Sequence, residues 1–287
     1  MDDNIVNEFM KDPVNGGAVL KSSFKAFHTF FMWHIYRIDW EWKPFHEQIV
    51  EKLEDFVFGR NKKKNLVINI PPRFGKTKIM ESFEAWSFLL NPYSNVIHTS
   101  YSDTLIKQSS KNVKNIIASP AFQCFSNNLP LRQDSQKAEY WQTEPKRGEM
   151  GGAYRASTLS GALTGFGFGV KNSEQWSGCC VIDDPLKASL VTSRSEINAC
   201  KDFYLNSLIS RRNNKTAPFI MIMQRLDPDD LTGYVLESET EDWEQLKLQA
   251  LNEETGESLW EETMPTETLL KIKRSAPAVF YGQYQQE

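Results

Sequence analysis

The sequence predicts an α/β fold, a mostly parallel sheet flanked by helices. Short apolar runs ("LVINI", "VIHTS", "CCVI", "FIMIM") alternate with stretches whose apolar residues recur at helical spacing. Gly, Pro and Asn clusters punctuate the alternation. Several runs end in polar or charged residues, which places a ligand at the carboxyl ends of the strands.

The elements follow in order. Residues 1–60 form a helical, aromatic-rich N-terminal segment expected to pack on the core, in which 44–59 has helical periodicity and a glycine stop. "NKKKN" is a charged turn. A core over 61–250 begins with a strand at 66–70 and a helix at 76–90 closed by "NPYSN". A strand at 96–100 precedes a helix over 103–118, with Asp103 as its N-cap and Ser119-Pro120 as its stop. "AEYWQTE" and "GAYRAST" alternate as antiparallel strands around Gly151-Gly152. A glycine-rich loop, "GALTGFGFGV", leads to the buried strand "CCVIDD", and "PFIMIMQR" and "EQLKLQA" are further strands. Residues 251–287 form a C-terminal subdomain.

Bulk composition bounds the function. The 287 residues are 40% hydrophobic and 12% aromatic, enough for a substantial core. Lys+Arg number 33 against 37 Asp+Glu, a net charge of −4, so any nucleic-acid contact uses a local patch. The four cysteines show neither a CxxC pair nor zinc spacing and are read as reduced, buried thiols. "MDDNIVNEFMKD" lacks the regions of a signal peptide, and "AFHTFFMWHIY" is too short to cross a bilayer. A soluble intracellular protein is expected.

"LVINIPPRFGKTKIM" has the parts of a phosphate-binding loop: an apolar strand, a tight loop, and GKT opening a helix. Backbone N–H groups from Pro72 to Lys78 (through Arg73, Phe74 and Gly75, the prolines excepted) and the helix N-terminus would cradle phosphates. Lys76 would reach the β- and γ-phosphates of ATP, and Thr77 would ligate Mg²⁺. The full pattern expects a glycine where Ile70 stands. In "CCVIDD", Asp183 would hold the Mg²⁺ shell and Asp184 would activate the attacking water. The alternative is an acidic strand end capping the next helix. Gln224, at the tip of "FIMIMQR", either senses the γ-phosphate or is an ordinary strand cap. Arg73 either neutralises transition-state charge or is a solvated loop arginine. "DPDD" at 227–230 reads as a carboxylate-rich helix start in preference to a nuclease metal site. No histidine is assigned a metal.

"LVINIPPRFGKTK", "HTSYSDTL", "GALTGFG", "CVIDDPLK", "MIMQRLDPDDL" and "FYGQYQQE" together resemble the ATPase half of a tailed-bacteriophage large terminase subunit, from about residue 44 onward. The resemblance implies a P-loop NTPase of the additional-strand class. It also implies an ATP- and Mg²⁺-dependent motor that moves double-stranded DNA into a procapsid. In that family the first loop glycine is often missing and an arginine is present, as with Ile70 and Arg73. The implied partners are the portal protein, the small terminase subunit and further copies of the chain in a ring, in the host cytoplasm and with no membrane. An RNase H-like nuclease domain follows in the family, so these 287 residues are expected to carry no nuclease activity. The segment before the loop is the family's base-recognition region, making Trp42, Pro44, Phe45 and Gln48 candidates for adenine.

Relatives often have an arginine where this chain has Phe166, and residues 169–178 make a longer loop. For a finger acting on a neighbouring subunit, Arg155 ranks first, at the expected end of a strand, ahead of Arg147, Arg211 and Arg212. Lys107, Lys111 and Lys114 share a helix face, and "SRRNNK" is a second basic group; either would track DNA phosphates or simply be solvated. The alternative function is a helicase-like or nucleotide-gated DNA-binding P-loop ATPase.

Overall fold

The computed structural model describes residues 8–159, 161, 163–238 and 241–287. The sequence readings that fall on residues 1–7, and on Ala162 in the glycine-rich loop, lie outside them. An eight-stranded sheet runs in the order β3-β4-β5-β2-β6-β7-β1-β8. Its strands are β1 (Asn65–Asn69), β2 (Asn95–Ser100), β3 (Leu131–Gln136), β4 (Tyr140–Thr143), β5 (Ala153–Thr158), β6 (Cys180–Asp183), β7 (Phe219–Met223) and β8 (Trp243–Lys247). From β5 to β8 all neighbours are parallel, while β3, β4 and β5 pair antiparallel. β7 lies between β1 and β6, so one strand separates the phosphate-loop strand from the "CCVIDD" strand. That interposed strand is the mark of the additional-strand class.

Alternation along each strand builds two cores. Leu66 and Ile68, Val181, and Ile220 and Ile222 face one layer; Val67, Cys180 and Ile182, and Phe219, Met221 and Met223 face the other. Both faces are covered, which is why these strands read as continuous apolar runs. The first layer holds α1 (Pro13–Ser22), α2 (Phe24–Tyr36), α3 (Pro44–Val57), α4 (Lys76–Leu90), α5 (Asp103–Ile117) and α6 (Pro120–Phe125). The second is closed by α7 (Arg194–Phe203), the π turn that follows it, and α8 (Leu231–Glu237). After β8 the chain forms α9 (Thr266–Ser275) and a π turn, Phe280–Tyr284.

Two expectations are corrected. The N-cap of α5 is Ser102, whose hydroxyl accepts from the Leu105 N–H, and Asp103 is the first helical residue. Both are good caps, and the side chain that reaches the free N–H decides. Cys124 is only half-buried, whereas Cys179, Cys180 and Cys200 are buried. α1 and α2 lie in the 1–60 segment, which reads as helical but without bounds for these two helices, and the edge strand β3, in "LRQDSQ", is not legible as an element. α2 hides in near-continuous aromatic sequence, α1 has no aromatic and two adjacent glycines that obscure helical periodicity, and β3 has the polar composition of a solvated edge. No helix of the described residues is long and apolar enough to cross a membrane.

Candidate active site

The carboxyl ends of β1, β6 and β7 converge on the phosphate-type loop. Ile70 answers the missing-glycine question: it is buried and its N–H donates to the Met223 carbonyl (3.1 Å), extending the ladder. That position needs no positive φ, so a β-branched residue suits it. The positive φ falls on Arg73 (69°) and Gly75 (81°). At Gly75 a Cβ would stand 2.8 Å from the Trp40 ring, so glycine is required twice over, by φ and by space.

The Lys76 side chain is nearly buried, and its ammonium lies 2.5 Å from an Asp184 carboxylate oxygen as an ion pair without an aligned hydrogen bond. The Thr77 hydroxyl donates to one oxygen of Asp183 at 3.2 Å. The other Asp183 oxygen and the Gln224 carbonyl oxygen are buried with no partner among the described residues. Asp184 turns the chain out of β6 with φ 43°, its N–H held by the Ile222 carbonyl (3.0 Å) and its carbonyl by the Tyr101 N–H (3.2 Å). A non-glycine residue in the left-handed region at a strand end belongs with strained functional positions.

Burial, with the adjacent Asp184 charge, pushes Asp183 up to about 6; Lys76, His98 and the Thr77 hydroxyl oppose the shift. The folded chain therefore holds this proton more tightly than the unfolded chain, so stability falls as pH rises from the usual carboxylate range through about 6. Asp183→Asn removes that penalty. With divalent cations chelated, the variant should melt above the parent at pH 8, and the gap should close toward pH 4. Thermal unfolding across that range checks it; a variant less stable than the parent at pH 8 contradicts the sign.

The orphaned Asp183 oxygen beside Thr77 suits a hard divalent cation bound through few protein oxygens. Among the described residues no three His, Cys, Asp or Glu side chains form a metal cage. Mg²⁺ in phosphate sites is held through one or two carboxylates plus substrate oxygens, so this donor set fits it.

The base-recognition candidates are dispersed. Phe45 is fully buried, packed on Phe74 (5.4 Å between centroids) and Trp260 (5.7 Å), and has no free face to stack on a base. Gln48 is exposed and lines a groove with Lys247, Gln249 and Ser258; it lies one turn of α3 beyond Phe45 but outside the buried stripe of Phe45, Ile49, Leu53 and Phe56. Trp42 donates to the Thr29 hydroxyl (2.8 Å), and Pro44 is exposed at the start of α3. Lys78 pairs with Glu81 (2.8 Å) and lies over the Tyr36 ring, pointing into the α2 contact. Pro72 is half-buried and Arg73 exposed. Trp40, absent from the candidates, is the aromatic against Gly75, while Phe45, His46 and Trp260 meet Phe74 of the same loop. In "DWEWKPF" nothing but its three-dimensional placement separates it from Trp42.

Among the arginines, Arg155 sits in mid-strand opposite Ile97 and Tyr140, and the strand ends three residues later at Thr158. The strand-end placement is thus corrected. Phe166 packs edge-on against Tyr140 at 5.8 Å. Arg212 is buried against Glu241 (3.0 Å) and lies over the Phe219 ring, and Arg211 donates to the Leu163 and Ser207 carbonyls. Those two are occupied within the fold. Arg225 pairs with Asp230, the N-cap of α8, and Arg194 with Asp227 and Asp229. The "DPDD" carboxylates therefore cap and pair. On α5, Lys107 is neutralised by Asp103 and Glu139, and Lys114 donates to the Gln136 and Lys137 carbonyls. Lys62 and Lys215 are exposed in a groove of about 660 Å³ at the opposite pole of the sheet.

Behind the site, α4 and the sheet share a buried ionic group. Glu84 of α4 meets the His98 ring of β2 at 2.7 Å and accepts the Tyr154 hydroxyl of β5 at 3.1 Å. All three are fully buried or nearly so.

No protein-family model matches the chain, and no curated protein is similar enough in sequence to match it. Solved structures do match. A variant of the large terminase ATPase domain of Thermus phage P74-26 superposes with a TM-score of 0.51 at 11% identity, covering 90% of this chain and 97% of that one. The large terminase of bacteriophage HK97 superposes with a TM-score of 0.53 at 11% identity, covering 86% of this chain and 50% of that one. The present chain therefore spans a whole domain of the first and about half the length of the second. Its fold is that of the phage large terminase ATPase domains.

Proposed function

We propose that this chain is the ATP-hydrolysing motor domain of a viral large terminase, driving double-stranded DNA into a procapsid. The observation that carries the reading is the convergence of Lys76, Thr77, Asp183, Asp184 and Gln224 at the carboxyl ends of neighbouring interior strands of an additional-strand sheet. Lys76 binds the β- and γ-phosphates, exchanging Asp184 for them, and the loop N–H groups cradle the rest. Asp184, released from the ammonium, accepts the proton of the attacking water. Thr77 and Asp183 would hold Mg²⁺, which when bound would supply charge neutralisation at the phosphates. Gln224 contacts the γ-phosphate from the intervening strand, and Arg73 adds positive charge from the loop. Arg155 remains our candidate for a finger reaching a neighbouring subunit. The portal protein, the small terminase subunit, a ring of copies and the host cytoplasm follow from the same reading, supported by the motif order and the shared fold.

The competing reading is a nucleotide-gated binding module in which Asp184 does no chemistry. The Asp184→Asn variant decides between them. It should still bind ATP, since the amide keeps the shape, while turnover falls by about 10²–10⁴, the range for a lost general base. Phosphate release measured with and without double-stranded DNA reads this out. A parent without turnover in either condition favours the gated module; unchanged turnover in the variant moves the base elsewhere, with Glu196 the first residue to examine.

A further inference from the structure

Gln224 is set by the turn that follows it, and that turn is held from the far end of the chain. The Arg225 N–H donates to the Gln286 side-chain oxygen at 2.9 Å. Gln286 is almost fully buried, has a φ of 61°, and donates its own amide to the Gln283 carbonyl at 2.7 Å. A Cβ on Gly282 would stand 3.3 Å from the Arg225 carbonyl oxygen, so the two segments touch along their backbones. The rest of the turn is tied down independently: the Asp230 carboxylate takes the Arg225 guanidinium, the Leu226 N–H (3.0 Å) and the Gly233 N–H (3.0 Å). The neighbouring Gln285 exchanges hydrogen bonds with the N–H and carbonyl of Leu251, both at 3.0 Å. A buried side chain on a residue with positive φ, its amide bridging the Arg225 N–H to the Gln283 carbonyl, ties the two segments together at a conformational cost.

We propose that Gln286 is a positioning residue for hydrolysis, coupling the Gln224 turn to the C-terminal segment 280–287. The inference rests on the ATPase reading above and names how that site connects to the rest of the molecule. Gln224 lies between the phosphate loop and Asp183, so a change in what its side chain meets moves the Arg225 N–H. Gln286 carries that movement into the π turn Phe280–Tyr284 and α9. Coupling free energy is reciprocal, so whatever displaces 280–287 also re-sets Gln224.

The test uses the 287-residue chain with Gln286→Met, which keeps the shape but lacks the acceptor, and Gln286→Glu, which keeps an acceptor oxygen. Gln286→Met should lower kcat about three- to thirtyfold, the span for residues on a coupled network, with ATP affinity within about twofold of the parent. Gln286→Glu should recover most of the rate. Hydrogen exchange supplies the second readout. In the parent, a non-hydrolysable ATP analogue should change protection in both 224–230 and 280–287, and in Gln286→Met only in 224–230. Unchanged kcat in Gln286→Met, equal losses in both variants, or loss of affinity without loss of kcat overturns the proposal. If Gln286→Met does not fold, a parent whose exchange at 280–287 ignores the analogue overturns it too. A parent that binds no nucleotide overturns the ATPase reading itself and the proposal with it, which is a distinguishable result.

Discussion

Lys76→Ala should reduce ATP turnover by about three orders of magnitude or more, the scale of losing a charged transition-state contact in phosphoryl transfer. The ammonium is the cation that the fold places against the carboxylate pair, 2.5 Å from Asp184, on the first residue of a helix that opens at the phosphate loop. It has two jobs in this geometry. Toward the nucleotide it supplies the positive charge that grows in value as the phosphoryl group leaves. Toward the protein it offsets two adjacent carboxylates, and its charge is one of the influences that hold Asp183 down. The variant should therefore lose stability at pH 8 as well as turnover, whereas Asp183→Asn loses turnover and gains stability. Turnover within tenfold of the parent would sink the assignment of this loop as the catalytic one. A turnover loss with unchanged melting at pH 8 would sink the second job alone.

The largest effect on stability should come from His98→Ala. Burial opposes the charged imidazole, yet the Glu84 carboxylate, by its charge and its hydrogen bond, more than compensates and pushes His98 up to about 9. Breaking a buried ion pair by removing one partner costs about 3–5 kcal/mol, because the other charge stays buried alone. The Tyr154 hydroxyl donates to Glu84 but cannot neutralise it. The folded-state value lies above the unfolded 6.5, so the contribution is complete below about 6.5 and disappears as pH rises through about 9. Denaturant unfolding of parent and variant at pH 6 and pH 10 should show a wide gap at the first and a narrow one at the second. A gap that is constant with pH would mean that packing, not the ion pair, is what the histidine supplies.

The parts of the site that are legible in the sequence share one property: their residues act within a few positions of one another. Gly75, Lys76 and Thr77 open one helix, and Asp183 and Asp184 end one strand, so periodicity and motif spacing suffice to place them. Parallel pairing followed from the alternation of apolar runs and helices. The position of β7 between β1 and β6 entered only through the resemblance, because strand order is not encoded in local pattern. Trp40 over Gly75 and Gln286 under Arg225 were not legible at all. Each depends on which turn of the fold lies beneath it, across 35 residues in one case and 61 in the other. Gln48 and Phe45 failed in the converse way, since helical spacing puts them one turn apart on α3 but does not say that Phe45 falls inside the packed stripe and Gln48 outside it. Arg155 was assigned to the correct strand and the wrong height on it, because strand ends are the least certain feature of an alternating pattern.

The position of β1 also has a consequence for synthesis. Its two neighbours in the sheet, β7 and β8, come from residues 219–223 and 243–247. A nascent chain therefore exposes "LVIN" with both edges unpaired while some 150 further residues emerge, roughly 8–30 s at ordinary elongation rates. The β2–β5 pair, drawn from residues 95–158, can close on the ribosome well before that. The last piece to assemble is then the strand that carries the phosphate loop. A ribosome stalled anywhere before β7 would release a chain with half a sheet and an open apolar edge, the form most prone to aggregate.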